Sequence, residues 1–231
     1  MAKRPVFISG KNKVLLKEVE FNWHAGFAPS QKKKSIKELH KNFLEVAPSR
    51  KVLEISSKSD IAIGVSLSAF NLLIEDNGEM TSFESIFQGS KRFENGGPYS
   101  DLIEVSPRLA KRDPRLKNSG DIIGFSYKKE EWPNEPKTFF YDYMYIKAVA
   151  AQPQLLEELV TYDAFTDIEF NPKKSINCQA KAAALLVTLY RKEILYEIIE
   201  NREMLLSFYE VENTKVNNIK EEDSSEQMKL F

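Results

Sequence analysis

The chain has 231 residues, of which 42% are hydrophobic and 29% are charged. That length suits one domain with a hydrophobic core of its own. The 33 Lys and Arg residues are balanced by 34 Asp and Glu residues, so the net charge is -1. This balance excludes a uniformly basic nucleic-acid-binding surface, although it permits local basic patches.

Few residues of the chain suit metal binding or thiol chemistry. The sequence contains one cysteine, Cys178, and two histidines, His24 and His40. We therefore expect no disulfide, no metal site, no cofactor and no Cys-His or Ser-His catalytic centre. A cytoplasmic location is the simplest expectation, and no segment reaches the roughly 20 apolar residues that a membrane helix needs. Carboxylates and lysines would have to carry any catalysis.

The N-terminal part of the chain is predicted to form mainly strands. Alternating apolar and polar residues after a short apolar run predict a hairpin, and apolar residues at helical spacing predict one short helix. A loop before this helix presents Lys32, Lys33 and Lys34. In chain order, the expected elements are strands at 5–8 and 14–23, the helix at 35–47, and strands at 52–56, 61–67 and 72–74.

The remainder of the chain is predicted to be mainly helical. The expected helices lie at 82–93, from 107, and at 136–151, 153–161 and 175–196, with a strand at 121–127 and an irregular segment at 162–174. Prolines at first helical positions and glycine stops bound most of them. The pattern predicts an α+β fold, with a single, mainly helical domain at 1–210 and a small β-rich N-terminal part. The polar, acidic residues 211–231 are predicted to form a disordered tail.

The helix predicted at 82–93 carries a polar stripe. Residues i, i+4 and i+7 lie within about 40° of one another on a helix, and Glu84, Gln88 and Lys91 hold these positions. Phe83 and Phe87 flank the stripe, so the helix is expected to be largely buried. The stripe then faces either solvent, as an ordinary Glu–Lys surface, or a cleft.

A glycine-rich segment follows this helix. Asn95, Gly96 and Gly97 either form a simple helix stop or let consecutive backbone N–H groups approach a phosphate. Pro98 follows directly, as is usual after a helix end.

The polar stripe resembles a known family signature. Glu84-Ser85-Ile86-Phe87-Gln88-Gly89-Ser90-Lys91 is similar to the Glu-x-x-Phe-Gln-x-x-Lys signature of the NADAR family. The upstream segment Leu67-Ser68-Ala69-Phe70-Asn71 resembles the Leu-Ser-Asn-Phe element of that family, with Ala69 where an asparagine is usual and Asn71 two residues later.

Further segments resemble a bacterial subgroup of the NADAR family, whose members are antitoxins to DarT-type DNA ADP-ribosyltransferases. These segments lie at 21–27, 30–32, 93–99 and 162–179. The resemblance implies a metal-free enzyme that removes ADP-ribose from guanine bases of DNA. ADP-ribosylated DNA would be its substrate, free ADP-ribose its product, and the toxin its functional partner.

Glu84 is the catalytic carboxylate that this resemblance leads us to expect. Cleavage of an N-ribosyl bond passes through an oxocarbenium-like state, and a carboxylate beside the anomeric carbon acts as acid and base or positions water. Lys91 is expected either to hold ribose or phosphate oxygens or to pair with Glu84.

A lysine could also act covalently, by attacking the anomeric carbon or by trapping an opened ribose as a Schiff base. Lys32 and Lys34 are the candidates, because they lie in the segment that carries the subgroup resemblance. The alternative for both is a solvated basic patch or a phosphate contact.

The remaining expected site residues would bind the ligand. Trp132, in a predicted loop, is expected either to stack on a base or to pack in the core. Lys173 is expected just before the last long helix, where it would receive a phosphate together with the N-terminal amides of that helix. The full ligand-binding set is Ser68, Asn71, Gln88, Lys91, Asn95, Gly96, Gly97, Trp132, Asp167, Glu169 and Lys173, of which Asp167 and Glu169 either line the pocket or form helix caps.

Three basic residues, Arg108, Lys111 and Arg112, are expected to contact the DNA backbone rather than the bases; the alternative is an exposed basic surface. Two other residues are expected outside the site. His40 is interpreted as a surface residue and Cys178 as a small buried hydrophobe.

Two other functions stay open from the sequence. One is a binding protein that holds ADP-ribose, a related nucleotide or the toxin without turnover. The other is a glycosidase for small nucleotide metabolites. Release of free ADP-ribose distinguishes an enzyme from a binding protein, and competition by modified DNA distinguishes the two substrates.

Overall fold

The computed structural model describes residues 1–26, 28–76, 78–173, 175–206 and 209. The predicted tail at 211–231 lies outside the described residues. The rest of the chain forms a mixed α+β structure, as the sequence predicts.

The strands of the described chain form one four-stranded sheet and two smaller ones. The four-stranded sheet has the order β2-β1-β9-β3, in which β3 and β9 are parallel and the other neighbours antiparallel. The other sheets are the hairpin β4-β5 and the antiparallel sheet β6-β7-β8. The strands are β1 (Ala2–Ser9), β2 (Val14–Phe21), β3 (Val52–Glu54), β4 (Leu73–Asp76), β5 (Glu79–Ser82), β6 (Lys91–Phe93), β7 (Ile122–Tyr127), β8 (Glu130–Pro133) and β9 (Ala164–Thr166).

The helices cover both faces of the four-stranded sheet. They are α1 (Pro29–Val46), α2 (Ala62–Ser66), α3 (Phe83–Gly89), α4 (Pro107–Arg112), α5 (Arg115–Asn118), α6 (Phe139–Ala150), α7 (Pro153–Leu159), α8 (Gln179–Arg191) and α9 (Leu195–Glu200). A 3-10 turn at Ser100–Ile103 and a helical segment at 202–206 complete the described set.

Two hydrophobic layers fix this arrangement. α1 buries Ile36, Leu39 and Phe43 against one face of the sheet. α8 and α6 form the larger layer, since α8 packs on the sheet and α6 packs on α8. Ten of the 12 residues of α6 are buried, which is the pattern of a helix inside a core rather than at a surface.

The predicted strand at 61–67 is wrong, because these residues form α2. A short apolar run is compatible with either state, and a close backbone contact decides between them. A Cβ atom on Gly64 would lie 2.1 Å from the carbonyl oxygen of Glu54. Glycine therefore lets α2 pack directly on the end of β3.

The predicted helix at 82–93 is too long. α3 ends at Gly89, and Lys91 begins β6, which pairs with β7. The hydroxyl of Ser90 donates to the carbonyl of Ile86 at 2.7 Å, and the N–H of Ser126 donates to the carbonyl of Ser90 at 2.7 Å. Pairing with β7 thus replaces the last predicted turn of helix.

Three further short strands, β5, β8 and β9, were missed, and two predicted loops are therefore wrong. Residues 164–166 form β9, an inner strand of the four-stranded sheet, inside the segment expected to be irregular. Trp132 lies in β8 rather than in a loop. Three- and four-residue strands carry little alternation, so only their neighbours in space reveal them.

Both long amphipathic helices begin elsewhere than predicted. α1 begins at Pro29, so Lys32 and Lys34 lie on the helix instead of in the loop before it. α8 begins at Gln179 instead of Ser175 and ends at Arg191, with α9 separate. Proline suits the first turn of a helix because it has no N–H to leave unpaired.

Candidate active site

Glu84 lies at the centre of the candidate site. Every residue of α3 is buried, because this helix packs against α4, α6 and the turn at Ser100–Ile103. The side chain of Glu84 is 4% exposed, and its backbone N–H donates to the carbonyl of Ala69 at 3.0 Å. A buried carboxylate requires donors or a counter-ion, and its neighbours provide both.

Two donors reach the same oxygen of Glu84. The amide Nε2 of Gln88 donates to Oε1 at 2.8 Å, and Nζ of Lys111 lies 3.1 Å from that oxygen. Among the described residues no hydrogen bond involves Oε2. That oxygen is therefore the one available to a ligand.

Lys91 extends this polar chain, as the sequence predicts, although from β6 rather than from the helix. Its Nζ donates to Oε1 of Gln88 at 2.7 Å. Burial lowers the pKa of Lys91 to about 8, and the charge of Lys111 lowers it as well, while that of Glu84 raises it. An amine with this pKa is partly neutral near physiological pH, and the neutral form is nucleophilic.

The segment 67–71 forms the wall beside Glu84 and is held by buried side chains. The hydroxyl of Tyr145 donates to the carbonyl of Leu67 at 3.0 Å. Gln179 accepts the N–H of Ala69 at 2.7 Å and donates to the carbonyl of Ile55 at 2.6 Å. One amide at the start of α8 thus joins this segment to the residue that follows β3.

Two predicted ligand-binding residues of this segment bond to each other. The hydroxyl of Ser68 donates to the carbonyl of Val65 at 2.7 Å. The amide of Asn71 donates to Ser68 Oγ at 2.8 Å and to the same carbonyl at 3.1 Å. In the described structure these groups fix the segment, and ligand contacts by Ser68 and Asn71 stay predictions.

A second group of acidic residues faces the site across Tyr141. Burial raises the pKa of the Tyr141 hydroxyl well above its usual value, and the charges of Glu84 and Asp167 raise it further. Tyr141 packs edge-on against Phe83, with ring centres 4.8 Å apart. A protonated hydroxyl group thus lies where both carboxyl groups act on it.

Parallel pairing of β3 with β9 brings Glu54 beside Asp167. Glu54 accepts hydrogen bonds from the hydroxyl of Thr166 (2.6 Å) and the N–H of Ile168 (2.9 Å). Burial raises the pKa of Glu54. Burial also raises the pKa of Asp167 to about 8, with the charge of Glu54 as a further cause. Asp167 therefore retains its proton at neutral pH.

His40 belongs to this group, so its interpretation as a surface residue is wrong. Its Nε2 lies 2.8 Å from Oγ1 of Thr166, which donates to Glu54. Burial lowers the pKa of His40 to about 4. The polar side of α1 is turned toward the end of β9, and this cannot be seen from helical spacing alone.

The two predicted covalent lysines lie at the N-terminal end of α1. Nζ of Lys32 lies 4.5 Å from the centre of the Trp23 ring, which also packs against Arg4. Lys34 is exposed. Within the described structure neither forms a hydrogen bond or an ion pair with Glu84. Lys111 pairs with this carboxylate directly, and Lys91 is linked to it through Gln88.

The glycine-rich segment borders the site through Lys91. Two N–H groups expected to receive a phosphate are already bonded, that of Asn95 to Ser119 (2.9 Å) and that of Gly96 to Phe93 (3.5 Å). Gly97 has a φ of 77°, and a Cβ atom there would lie 2.3 Å from the carbonyl oxygen of Lys91. Glycine is therefore required for the turn to approach this strand.

Three other predicted ligand residues lie apart from Glu84 or point to solvent. Trp132 is 5% exposed, and Arg202 covers its ring at 4.1 Å. It lines a cavity of about 500 Å³ together with Met144 and Lys147 of α6. Lys173 is exposed and separated from α8 by 174–178, so its predicted place at the start of that helix is wrong. Glu169 is exposed.

Comparison with known proteins identifies the family. A family model described as DarT1-associated NADAR antitoxin matches residues 2–219. The chain belongs to this family. No curated protein matches the chain. The resemblance of the polar stripe to the NADAR signature is therefore confirmed at the level of the family.

Several residues that build the site of this NADAR antitoxin were missed in the sequence. Glu54 carried a usable signal, since it interrupts an otherwise apolar strand. Gln179 carried none, because its role depends on which segments meet in space. Among the described residues, no cluster of three or more His, Cys, Asp or Glu could hold a metal ion, and no helix is long and apolar enough to span a membrane.

Proposed function

We propose that this NADAR antitoxin is an ADP-ribosyl glycosidase that removes ADP-ribose from guanine bases of DNA and so reverses the modification made by its cognate toxin. The observation that carries the proposal is the hydrogen-bonded chain Glu84–Gln88–Lys91, in which Gln88 links a buried carboxylate to an amine of lowered pKa. Family membership supports the link to a DarT1 toxin. We propose a cytoplasmic location, where its DNA substrate lies.

The reaction needs only groups that these residues supply. The bond between C1″, the anomeric carbon of the attached ribose, and the guanine nitrogen breaks. Its electron pair stays on the nitrogen, which takes a proton. Glu84 delivers that proton or positions the water that adds to C1″. Its free Oε2 is the oxygen available for either role. The net reaction consumes one water and releases ADP-ribose and unmodified guanine.

The amine of Lys91 offers a covalent route to the same products. It adds to C1″ of the ring-opened sugar, the guanine nitrogen leaves with a proton, and water then hydrolyses the resulting Schiff base. No oxidant or reductant is required. Lys91 is favoured over Lys32 and Lys34 because burial beside Glu84 keeps part of its population neutral.

Replacement of Glu84 by glutamine tests the proposal directly. Glu84→Gln keeps the shape of the side chain, whereas it removes the acid and base group. We expect release of ADP-ribose from an oligonucleotide with ADP-ribosylated guanine to fall at least about 100-fold, the usual loss for a general acid or base. The measurement is chromatographic separation of free ADP-ribose under single-turnover conditions.

Glu79→Gln is the matched control, because Glu79 is an exposed carboxylate on β5. It should release ADP-ribose at the wild-type rate. Tight binding of modified DNA by wild-type protein without any release would instead support the non-catalytic binding protein. Release only from small nucleotides would support the metabolite glycosidase.

A further inference from the structure

Lys111 covers Glu84 on the solvent side, and the inference drawn from it rests on the proposed glycosidase function. The residue belongs to α4, and its side chain is 55% exposed, against 4% for Glu84. Its Nζ lies 3.1 Å from Oε1 of Glu84. An exposed lysine therefore reaches inward to the buried carboxylate.

The same ammonium group also touches the rim of the site. Nζ of Lys111 lies 5.1 Å from the centre of the Phe70 ring, which is 36% exposed. Phe70 follows Ala69, whose carbonyl accepts the N–H of Glu84. Lys111 thus contacts both the partly exposed Phe70 ring and the buried carboxylate.

The rest of α4 presents positive charge to solvent. Arg108 and Arg112 are exposed, and within the described structure neither has a hydrogen-bond or ion-pair partner. Nearby Arg115 differs, because it is bound by Asp101 and Asp113. The free cations of α4 match the phosphates that flank a modified base in DNA.

We propose that Lys111 is a DNA-responsive latch, which pairs with Glu84 in the free protein and moves to a DNA phosphate when the modified strand binds. Without this ion pair at Oε1 the carboxylate is a stronger base, and its open Oε2 acts on the ribose. Because Arg108 and Arg112 are on the same helix, the strand that binds them brings its phosphates close to Lys111.

The latch selects for ADP-ribose that is attached to a nucleic-acid strand. ADP-ribosylated deoxyguanosine carries the same ribose–nitrogen bond but no DNA backbone phosphates. A free dinucleotide carries an N-ribosyl bond to another base and likewise no DNA backbone. Both leave Lys111 on Glu84 and are cleaved slowly, so the protein is kept from hydrolysing abundant nucleotides with N-ribosyl bonds.

The test compares two substrates in wild-type protein and in Lys111→Met, which removes the charge and keeps most of the side-chain length. One substrate is a short oligonucleotide with one ADP-ribosylated guanine, and the other is ADP-ribosylated deoxyguanosine. In the wild type, kcat/KM for the oligonucleotide should exceed that for the nucleoside by about tenfold or more, as expected for one charged hydrogen bond. In Lys111→Met, the nucleoside should be cleaved faster than by wild type and the oligonucleotide more slowly.

Lys117→Met is the matched control, since Lys117 is an exposed lysine on the neighbouring α5. Its two rates should equal those of the wild type. Equal losses on both substrates in Lys111→Met, or no change on either, would overturn the latch while leaving the glycosidase intact. A wild-type protein that cleaves neither substrate would overturn the proposed function, and the latch with it. Faster cleavage of the nucleoside cannot arise from a merely damaged fold.

Discussion

Residue identity matters most where polar side chains are buried against one another. Gln88 joins Glu84 to Lys91 by donating to one and accepting from the other. An amide has both groups, whereas a carboxylate or an ammonium has only one kind. Gln88 therefore keeps the acid and the amine close together without a direct ion pair that would keep the lysine charged.

The ionisation of Lys91 gives a prediction for the covalent route. If its neutral amine attacks C1″, trapping of modified DNA with borohydride should increase about tenfold per pH unit below pH 8 and level off above it, because the pKa is about 8. Lys91→Arg keeps the charge and removes the nucleophile, so the trapped adduct should disappear. The adduct is measured by mass spectrometry.

Arginine substitutions at the other two candidate lysines complete this comparison. An adduct that persists in Lys91→Arg and is lost in Lys32→Arg or Lys34→Arg would show that the attacking amine lies on α1. An unchanged adduct in all three variants would contradict a lysine of this set.

Single side chains link the 67–71 segment to the rest of the site. The 67–71 segment belongs to no strand, yet it supplies the carbonyl that receives the N–H of Glu84. Gln179, near the first turn of α8, connects this segment to Ile55. The position of Glu84 therefore depends on a helix that is distant in sequence.

Gln179→Leu should break the link between the 67–71 segment and Ile55. Two backbone groups would lose their partners, at about 1–3 kcal/mol each, so the free energy of unfolding should fall by about 2–6 kcal/mol in chemical denaturation. The kcat for release of ADP-ribose should fall as well. Gln154→Leu, at an exposed position of α7, should change neither, and a fully stable Gln179→Leu protein would contradict this role.

The sequence predicted the elements that have a strong pattern of their own. The hairpin β1-β2, the helix opening at Pro107 and the strand β7 are confirmed. The strand at 61–67 is wrong because α2 has too few residues for helical periodicity to stand out. The strand β9 was missed because its three residues are defined by their neighbours β1 and β3 rather than by alternation.

At the scale of the whole molecule, the buried acidic group makes stability depend on pH. Asp167 has a folded pKa of about 8 and an unfolded value near 3.9. Between these values the unfolded chain has lost a proton that the folded protein retains, so stability falls as pH rises. His40 makes stability depend on pH in the opposite direction. Its pKa is about 4 in the folded protein, below the ordinary value of 6.5 that applies to the unfolded chain. Stability therefore also falls as the pH drops from about 6.5 to 4.

Asp167→Asn should remove the loss of stability that accompanies rising pH. The amide cannot ionise, and its oxygen can still accept the N–H groups of Glu169 and Phe170. Between pH 6.5 and pH 8 the stability advantage of the variant over the wild type should grow by about 2 kcal/mol, since each pH unit in this window contributes about 1.4 kcal/mol. Thermal unfolding across this pH range measures it, with the exposed Asp121→Asn as control. Parallel curves for wild type and Asp167→Asn would show that Asp167 ionises normally.

The sequence by itself determined the fold class, the polar stripe and the family, because periodicity and a local signature depend only on the order of neighbouring residues. Only the tertiary structure decided what surrounds the stripe. It brought Lys111 to Glu84, Gln179 to the 67–71 segment and His40 to Thr166. These contacts join residues from different elements, and their strength comes from burial, which removes competing water. No spacing within a single element encodes such contacts, so they appear only once the chain has folded.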